Sequence, residues 1–473
     1  MHFHSLDYVL FLVCVVCGFW LLANRGVLRL AFVFLASCLF YMAWNPTYIV
    51  LILSSTVLDY TVGGRIHAST TITRKRGWLL LSLIGNLGLL GVFKYFNFFA
   101  SASADVARVF GFAFEPPHLD VLLPVGISFY TFQTLSYTID IYRGRLKPAP
   151  GFLQFAFFVT FFPQLVAGPI VRASELLPQL QGRLGLSPGS VGNALFLIAT
   201  GMVKKVLFAD YVAVNLVDRV FEDPGAYSSA EVLIGLYGYT LQIYCDFSGY
   251  TDVARGSASL FGLDLPENFD RPYQARNPAE FWRHWHMTLS SWLRDYLYFP
   301  LGGSRGSPAR AYFNLGLTMF LIGLWHGAAW TFVIYGLLQA GIMLAHRFVQ
   351  RRYGKGRGHV DPPLVVFAKV FGTMQFVVLS RIFFRAADLD NALAVIQQLR
   401  IGSLGVGHVS GSVWAVLIGG FAAHYTPRGW FEHIRSSFVR LPAPAQGVVL
   451  AVVGAGLMTV VSKDVVPYIY FQF

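Results

Sequence analysis

Residues 311–345 form a run of 35 residues that contains no Asp, Glu, Lys or Arg. A straight helix of that length would extend roughly 52 Å, whereas the hydrocarbon core of a bilayer is about 30 Å thick. One straight helix therefore does not fit a membrane, and we expect the run to break. Gly323 and Gly327 flank the place where breaking is easiest, because glycine permits backbone conformations outside the helix.

The apolar character extends over the whole chain. Only 13% of the 473 residues are charged, against about 25% in a typical soluble protein, and 55% are hydrophobic. Apolar stretches of membrane-spanning length recur from Tyr8 to the C-terminus. The sequence therefore predicts an all-α polytopic membrane protein with about 10 to 12 crossings, which form one integral-membrane domain over residues 1–473.

The basic residues are concentrated in short loops, which predicts how the chain lies in the membrane. A net charge of +12 would suggest nucleic acid in a soluble protein, but here Lys and Arg collect between apolar segments, so we expect no nucleic-acid partner. Because cytoplasmic loops carry the excess of Lys and Arg, the N-terminus is predicted to lie outside. The basic loops are residues 65–76, 143–147 and 347–357, whereas acidic residues predominate at 101–120, 221–230 and 386–396.

The four cysteines do not form a recognisable framework. Cys14, Cys17 and Cys38 lie within apolar stretches, and Cys245 ends another. None has the spacing or setting of a metal site or a disulfide, so we expect small core residues. The chain also has no phosphate-binding glycine loop, and the sequence identifies no cofactor-binding residue.

His326 lies at the expected break and is the only side chain of the run that titrates near neutral pH. Helix ends free backbone polar groups, which a bilayer tolerates only where protein or a water-lined cavity satisfies them. We therefore expect His326 to face a polar cavity within the membrane. A buried histidine is often only a hydrogen-bonded core residue, whereas ionisable groups at membrane depth tend to mark pathways or catalysis. The setting favours the second interpretation for His326.

A second pair of histidines lies in the segment FWRHWHMTLSSWLRDY, residues 281–296, which has helical periodicity. At 100° per residue, one face is apolar, and we expect an amphipathic helix at the cytoplasmic interface. His286 falls on the apolar face and His284 about 160° away, on the charged face. Only His286 is therefore predicted to point into the protein. The apolar face comprises Trp282, Trp285, Leu289, Trp292, Leu293 and Tyr296.

Five segments, taken in order, make the sequence recognisable. They are LLPVGISFYTFQTLSYTIDIYRG (122–144), FFPQLVAGPIVR (161–172), YCDFSGYTDVARG (244–256), NPAEFWRHWHMTLSSWLRDYLYFPLGG (277–303) and NLGLTMFLIGLWHGAAWTFVIYG (314–336). Together they resemble the membrane-bound O-acyltransferase (MBOAT) family, in its bacterial alginate O-acetyltransferase branch. The resemblance covers about residues 7–387, while residues 388–473 are only generically hydrophobic.

The resemblance implies roles for two histidines. His326 matches the family's invariant histidine, which is taken as catalytic, and His286 matches its second histidine. Two departures are visible: His284 stands where the branch commonly has Arg, and SRIFFRA (380–386) differs from the usual form, which contains Gly-Trp. Neither departure touches the matched pair.

The resemblance also implies a fold and a reaction. The fold would be an MBOAT-like bundle of tilted helices around a tunnel, with amphipathic interfacial helices, in the bacterial inner membrane. An acetyl group would pass from acetyl-CoA or another cytoplasmic acyl thioester toward hydroxyls of an exported, alginate-like polysaccharide. The expected partners are the lipid bilayer, a periplasmic SGNH-type acetyltransferase and the polysaccharide export machinery, with no bound cofactor and no metal.

Three alternatives remain open at this point. D-alanyl transfer proteins of teichoic acid synthesis share the two histidines. The resemblance therefore indicates the family more strongly than it indicates the transferred group or its acceptor. A transporter or proton channel could use His326 as a relay at a broken helix, although the spans carry few charged partners for one. A scaffold that anchors a periplasmic polysaccharide assembly and does no chemistry itself should tolerate a change of His326.

Overall fold

The computed structural model describes residues 3, 5–182, 184–354, 361–460 and 468–469. Within these ranges the regular structure is entirely helical, which confirms the predicted all-α class. The chain forms two compact units, one comprising Met1–Ser187 with Ser257–Pro266 and the other Pro188–Gly256 with Glu267–Phe473. The interpretation as a single domain stays a prediction. Lys355 and Arg357 of the basic loop 347–357 lie outside the described residues, as do 461–467 and 470–473 of the C-terminal stretch.

Among its described residues, the first unit is built from nine helices, a short 3-10 turn and a π-helical turn at Gly91–Tyr95. Its basic loops 65–76 and 143–147 lie at the same end, because a Cβ added at Gly63 would meet Tyr137 and Ile141 at 2.6 and 3.0 Å. That placement agrees with loops on one side of a membrane. The helices are α1 (Leu6–Leu21), α2 (Gly26–Met42), α3 (Ile49–Ala68), α4 (Ile72–Leu90), α5 (Phe96–Val109), α6 (Ile127–Tyr142), α7 (Phe152–Thr160), α8 (Phe162–Leu165) and α9 (Ala173–Gln181), with the turn at Pro46–Tyr48.

The second unit carries both histidines of interest. Its helices are α10 (Pro188–Val203), α11 (Asp218–Glu222), α12 (Ser229–Ser259, up to Gly256), α13 (Pro278–His284), α14 (Met287–Leu293), α15 (Pro308–His326), α16 (Trp330–Tyr353), α17 (Pro363–Arg385), α18 (Leu389–Ile401), α19 (Gly411–Tyr425), α20 (Arg428–Arg440) and α21 (Ala443–Met458). Wider π-helical turns interrupt or extend these helices at Lys204–Asp210, Ala213–Val217 and Arg294–Tyr298. Such turns often occur at functional sites.

Several helices have the length and composition of membrane spans. Among the described residues five qualify, and they are Pro46–Ala68, Ile72–Val109, Pro188–Glu222, Trp330–Tyr353 and Pro363–Arg385. Three shorter apolar helices are Leu6–Leu21, Gly26–Met42 and Ala443–Met458. The protein is therefore a multi-pass membrane protein, while the count of 10 to 12 crossings stays a prediction.

Candidate active site

The long uncharged run breaks where the sequence indicated. Helix α15 ends at His326, and α16 begins at Trp330 after three extended or bent residues. Gly327 lies at the C-terminal end of α15, and a Cβ there would meet the ring of Phe332 at 2.1 Å. His326 therefore lies at the junction of two helices. Its side chain is 2% exposed, so this junction is inside the protein.

Gly323 has a different role from the one expected. It lies inside α15 and does not break it. A Cβ at Gly323 would stand 2.3 Å from the Cα of Gly336 in α16, so these two backbones are in direct contact. Small residues allow such close approach between membrane helices. The Gly323–Gly336 contact therefore holds α15 against α16 one turn before His326.

The amphipathic segment 281–296 is not one helix, so that prediction was wrong. Helix α13 ends at His284, Trp285 is extended, and His286 adopts a left-handed backbone with φ of 43° before α14 begins at Met287. Periodicity could not reveal this break, because apolar residues are buried both before it, at Trp282, and after it, at Leu289. His286 is fully buried, as predicted. Its side chain points inward because of the left-handed turn, however, and not because it lies on the apolar face of one continuous helix.

The two predicted histidines lie together. Their ring centroids are 6.4 Å apart, and the ring of Trp325 contacts both, at 5.7 Å from His286 and 5.1 Å from His326. Phe247 packs edge-on against His286 at 4.7 Å, and Phe384 against His326 at 5.1 Å. The surroundings of the pair are thus strongly aromatic, and the polar cavity expected at His326 stays a prediction.

Burial controls the protonation of His286. Because desolvation penalises the charged imidazolium, the pKa of His286 falls to about 3, and the ring is neutral near pH 7. Its Nδ1 lies 3.2 Å from the side-chain oxygen of Asn268. A neutral imidazole held in this way can accept a proton or a hydrogen bond at its other nitrogen.

His284 has a different environment. Its side chain is 34% exposed, and its Nδ1 lies 2.7 Å from the backbone oxygen of Asp270 and 3.3 Å from that residue's carboxylate. The backbone N–H of Asp270 in turn donates to the carbonyl of His284 at 3.0 Å. These contacts join α13 to the segment before it, and they indicate a structural role for His284.

Arg381 is a buried cation beside the histidine pair that the sequence did not reveal. Arg381 lies on α17 and is 1% exposed, with its guanidinium 4.7 Å from the ring of Trp285 and 5.2 Å from that of Phe384. Phe384 is the same ring that contacts His326. The only signal was the unusual segment SRIFFRA, which contains both residues.

One group of charged side chains lies in an apolar segment, and nothing in the sequence indicated that its members pair. Lys205 is fully buried, and its Nζ lies 2.7 Å from a carboxylate oxygen of Asp210 and 2.7 Å from one of Asp246. Its neighbour Lys204 pairs with Asp252 at 2.6 Å. Both lysines therefore join Lys204–Asp210 to helix α12. Intramembrane charges usually occur in such pairs, because an isolated charge is costly there.

A polar cavity of about 370 Å³ lies in the second unit. Tyr244 and Phe269 form part of its wall, and the ring of Phe269 lies 6.5 Å from that of His286. The cavity is near the start of α10, where Asn193 and Leu197 line it. At the far end of the helical segment Pro188–Glu222, Asp218 pairs with Arg385, the last residue of α17. Since Arg385 ends α17 at that far end, the start of α17 at Pro363 lies toward the cavity, and in the sequence this start follows the basic loop 347–357. Its charged lining comprises Lys204, Asp252, Arg255, Glu267, Asp270, Arg271, Arg428, Glu432 and Arg435.

Comparison with known proteins identifies the family. The family model described as MBOAT, membrane-bound O-acyltransferase family, matches residues 143–379. The chain belongs to the membrane-bound O-acyltransferase family. A peptidoglycan O-acetyltransferase of Helicobacter pylori is 38% identical over 80% of this chain and 74% of its own length. A probable alginate O-acetylase AlgI of Pseudomonas putida is 34% identical over 93% of each chain, so the similarity extends beyond residue 387.

A more distant relative covers a smaller part of this chain. A teichoic acid D-alanyltransferase of Bacillus subtilis is 30% identical over 50% of this chain and 62% of its own length. The family membership and the relatives establish this protein as an O-acyltransferase of the membrane, similar to a peptidoglycan O-acetyltransferase and to a probable alginate O-acetylase.

Proposed function

We propose that this protein moves an acetyl group from a cytoplasmic thioester through a tunnel in the membrane toward hydroxyls of an exported polysaccharide. The observation that carries the proposal is the pairing of two buried histidines, His286 and His326, 6.4 Å apart at a helix junction. The substrate class rests on the alginate and peptidoglycan O-acetyltransferases among the relatives. We place the protein in the bacterial inner membrane.

The chemistry requires one base and one leaving group. His326 removes the proton from the acceptor hydroxyl while the oxygen attacks the thioester carbonyl, which forms the new C–O bond and a tetrahedral oxyanion. Collapse of this intermediate breaks the C–S bond, and the proton held by the imidazole passes to the departing thiolate. A neutral imidazole is well matched to this exchange near pH 7. His286 is the second catalytic group, at hydrogen-bonding range of the acceptor or the donor.

The polar cavity is the proposed entrance for the donor. Four ion pairs line it, which leaves Arg271 as the cation without a carboxylate partner among the described lining residues. Its guanidinium donates to the carbonyl of Thr426, and the described lining carries one more cation than anions. A phosphate-bearing thioester such as acetyl-CoA fits this charge. The cavity also lies at the predicted cytoplasmic end, where such a donor is found.

The acceptor and its partner belong to the same proposal. Transfer proceeds either directly to the sugar hydroxyl or to a periplasmic SGNH-type acetyltransferase that completes it beside the export machinery. The D-alanyl alternative has weaker support, because that relative matches only half of this chain. A comparison of the acyl content of the host's exported polysaccharide, with and without this protein, distinguishes acetyl from D-alanyl and identifies the acceptor.

The test of the base assignment is His326→Ala in purified, reconstituted protein. General-base catalysis contributes about 10² to 10⁴ in rate, so acetyl release from acetyl-CoA with the native acceptor or partner should fall to near background. His284→Ala serves as the matched control, since His284 contacts Asp270 and lies outside the histidine pair. Both variants should remain monodisperse, with unchanged melting for His326→Ala and a slightly lower melting temperature for His284→Ala, which loses its contact with Asp270. Turnover retained by His326→Ala would exclude the base role and favour a scaffold, and a variant that fails to fold would make His326 structural.

A further inference from the structure

Asn268 is a buried amide that holds the left-handed turn at His286. Its side chain is 1% exposed, and it lies in the segment between α12 and α13. Its backbone carbonyl accepts from the N–H of Met287 at 2.9 Å. Its side-chain oxygen accepts from the N–H and the hydroxyl of Thr288, at 3.2 and 2.9 Å. Asn268 therefore contacts both residues that follow His286, as well as the His286 ring itself.

These contacts determine which nitrogen of His286 carries the proton. The N–H of Thr288 can only donate, so the atom of Asn268 that faces it must be the carbonyl oxygen rather than the amide nitrogen. A carbonyl oxygen can only accept, and the same atom lies 3.2 Å from Nδ1 of His286. Nδ1 must therefore carry the hydrogen. A neutral imidazole has a single N–H, which leaves Nε2 with its lone pair.

We infer that Asn268 is a positioning residue for acyl transfer, which fixes His286 as the Nδ1–H tautomer and so makes its Nε2 an acceptor. This inference rests on the proposed function of the histidine pair. It adds a restriction on the chemistry of His286. While the ring is neutral, Nε2 can accept a hydrogen bond from the attacking hydroxyl, but it cannot donate one to the oxyanion.

The backbone at His286 makes this restraint necessary. A non-glycine residue with φ of 43° is uncommon and persists only where its surroundings impose the conformation. The bonds from Met287 and Thr288 to Asn268 supply that restraint at the start of α14. One asparagine thus sets both the backbone turn and the ring tautomer.

The direct test is ¹⁵N NMR of the full-length protein with ¹⁵N-labelled histidine in nanodiscs. This method distinguishes protonated from unprotonated ring nitrogens, and the difference from a His286→Gln sample assigns His286 among the 12 histidines. We expect hydrogen on Nδ1 and none on Nε2. A wild-type spectrum with hydrogen on Nε2 would overturn the inference. This measurement needs no substrate, so it holds or fails independently of the proposed function.

Variants of Asn268 then connect the tautomer to the rate. Asn268→Leu keeps the size of the side chain, removes the acceptor and leaves little room for water, so kcat should fall on the order of tenfold while KM changes little. Asn268→Asp retains the accepting oxygens and should restore both the Nδ1–H signal and most of the rate. Ser291→Ala, which removes a hydroxyl bonded to the Thr288 carbonyl in the same helix, should change neither. Full activity and an unchanged spectrum in folded Asn268→Leu would refute the role of Asn268.

Discussion

Replacing Gly323 by alanine should slow acyl transfer although Gly323 carries no chemistry. Gly323 lies in α15 three residues before His326, where its backbone contacts that of Gly336 in α16. An alanine methyl group at this position has no space, because the backbone of α16 already occupies it. The expected effect is a displacement of α15 relative to α16 and therefore of the His326 ring.

The size of the displacement follows from the contacts. The added Cβ would lie 2.3 Å from the Cα of Gly336, 2.6 Å from its nitrogen and 2.9 Å from the carbonyl oxygen of Phe332. Ordinary van der Waals contact begins at 3.4 Å, so the helices must separate by about 1 Å. A misplacement of that size at a reacting group can cost on the order of 10² in rate, and overpacking costs about 1–3 kcal/mol of stability.

The assay measures acetyl release and thermal melting for Gly323→Ala against two matched variants. Gly316→Ala lies in the same helix, where the methyl would contact only the flexible side chain of Leu344 at 3.4 Å. Gly341→Ala lies in α16 with nothing within 4 Å of its added Cβ. Both controls should keep the wild-type rate and be equally or slightly more stable. If Gly323→Ala matched them in rate and melting, the close contact of α15 and α16 would not position His326.

Three further predictions follow from the charges and histidines. Cysteines introduced at Thr70 and Tyr353, in basic loops predicted to be cytoplasmic, should resist membrane-impermeant thiol reagents in intact cells, whereas one at Glu115 should react; the reverse pattern would invert the topology. His286→Ala should impair acyl transfer far more than His284→Ala in equally well folded protein, and the opposite order would remove His286 from the site. Lys205→Met removes the lysine that pairs with the buried Asp246 and should cost about 3–5 kcal/mol of unfolding free energy, with a smaller cost for the half-buried Lys204→Met. Equal, small losses in detergent unfolding would contradict a stabilising role for the Lys205–Asp246 pair.

The features that the sequence predicted correctly are those set by local pattern. The break before Trp330 follows from the length of an uncharged run and the position of Gly327. The burial of His286 follows from the apolar face on which it falls, since Trp285 and Leu289 share that face and are buried too. In each case residues close in sequence contain all the information required.

The features that it did not predict depend on residues far apart in the chain. The left-handed turn at His286 is imposed by Asn268, which is 18 positions away and carries no periodicity signal. In the sequence, Arg381 has the pattern of an ordinary charge near the end of an apolar helix. Only the fold places its guanidinium over the ring of Trp285, which is 96 residues earlier in the chain. The Lys205 cluster likewise needs Asp246, which lies 41 residues further on.

The lysine pairs also constrain how the protein enters the membrane during synthesis. The segment that contains Lys204 and Lys205 emerges from the ribosome before α12, which carries Asp252 and Asp246. A charged side chain at the centre of a bilayer costs about 2.5–3.5 kcal/mol, so the first segment is a poor membrane span while it is alone. We therefore expect it to remain beside the insertion machinery until α12 arrives, and the two helices to enter the lipid as a pair. The Lys204–Asp252 and Lys205–Asp246 pairs can form together in only one register, so their formation also fixes the axial position of α12 relative to the neighbouring segment.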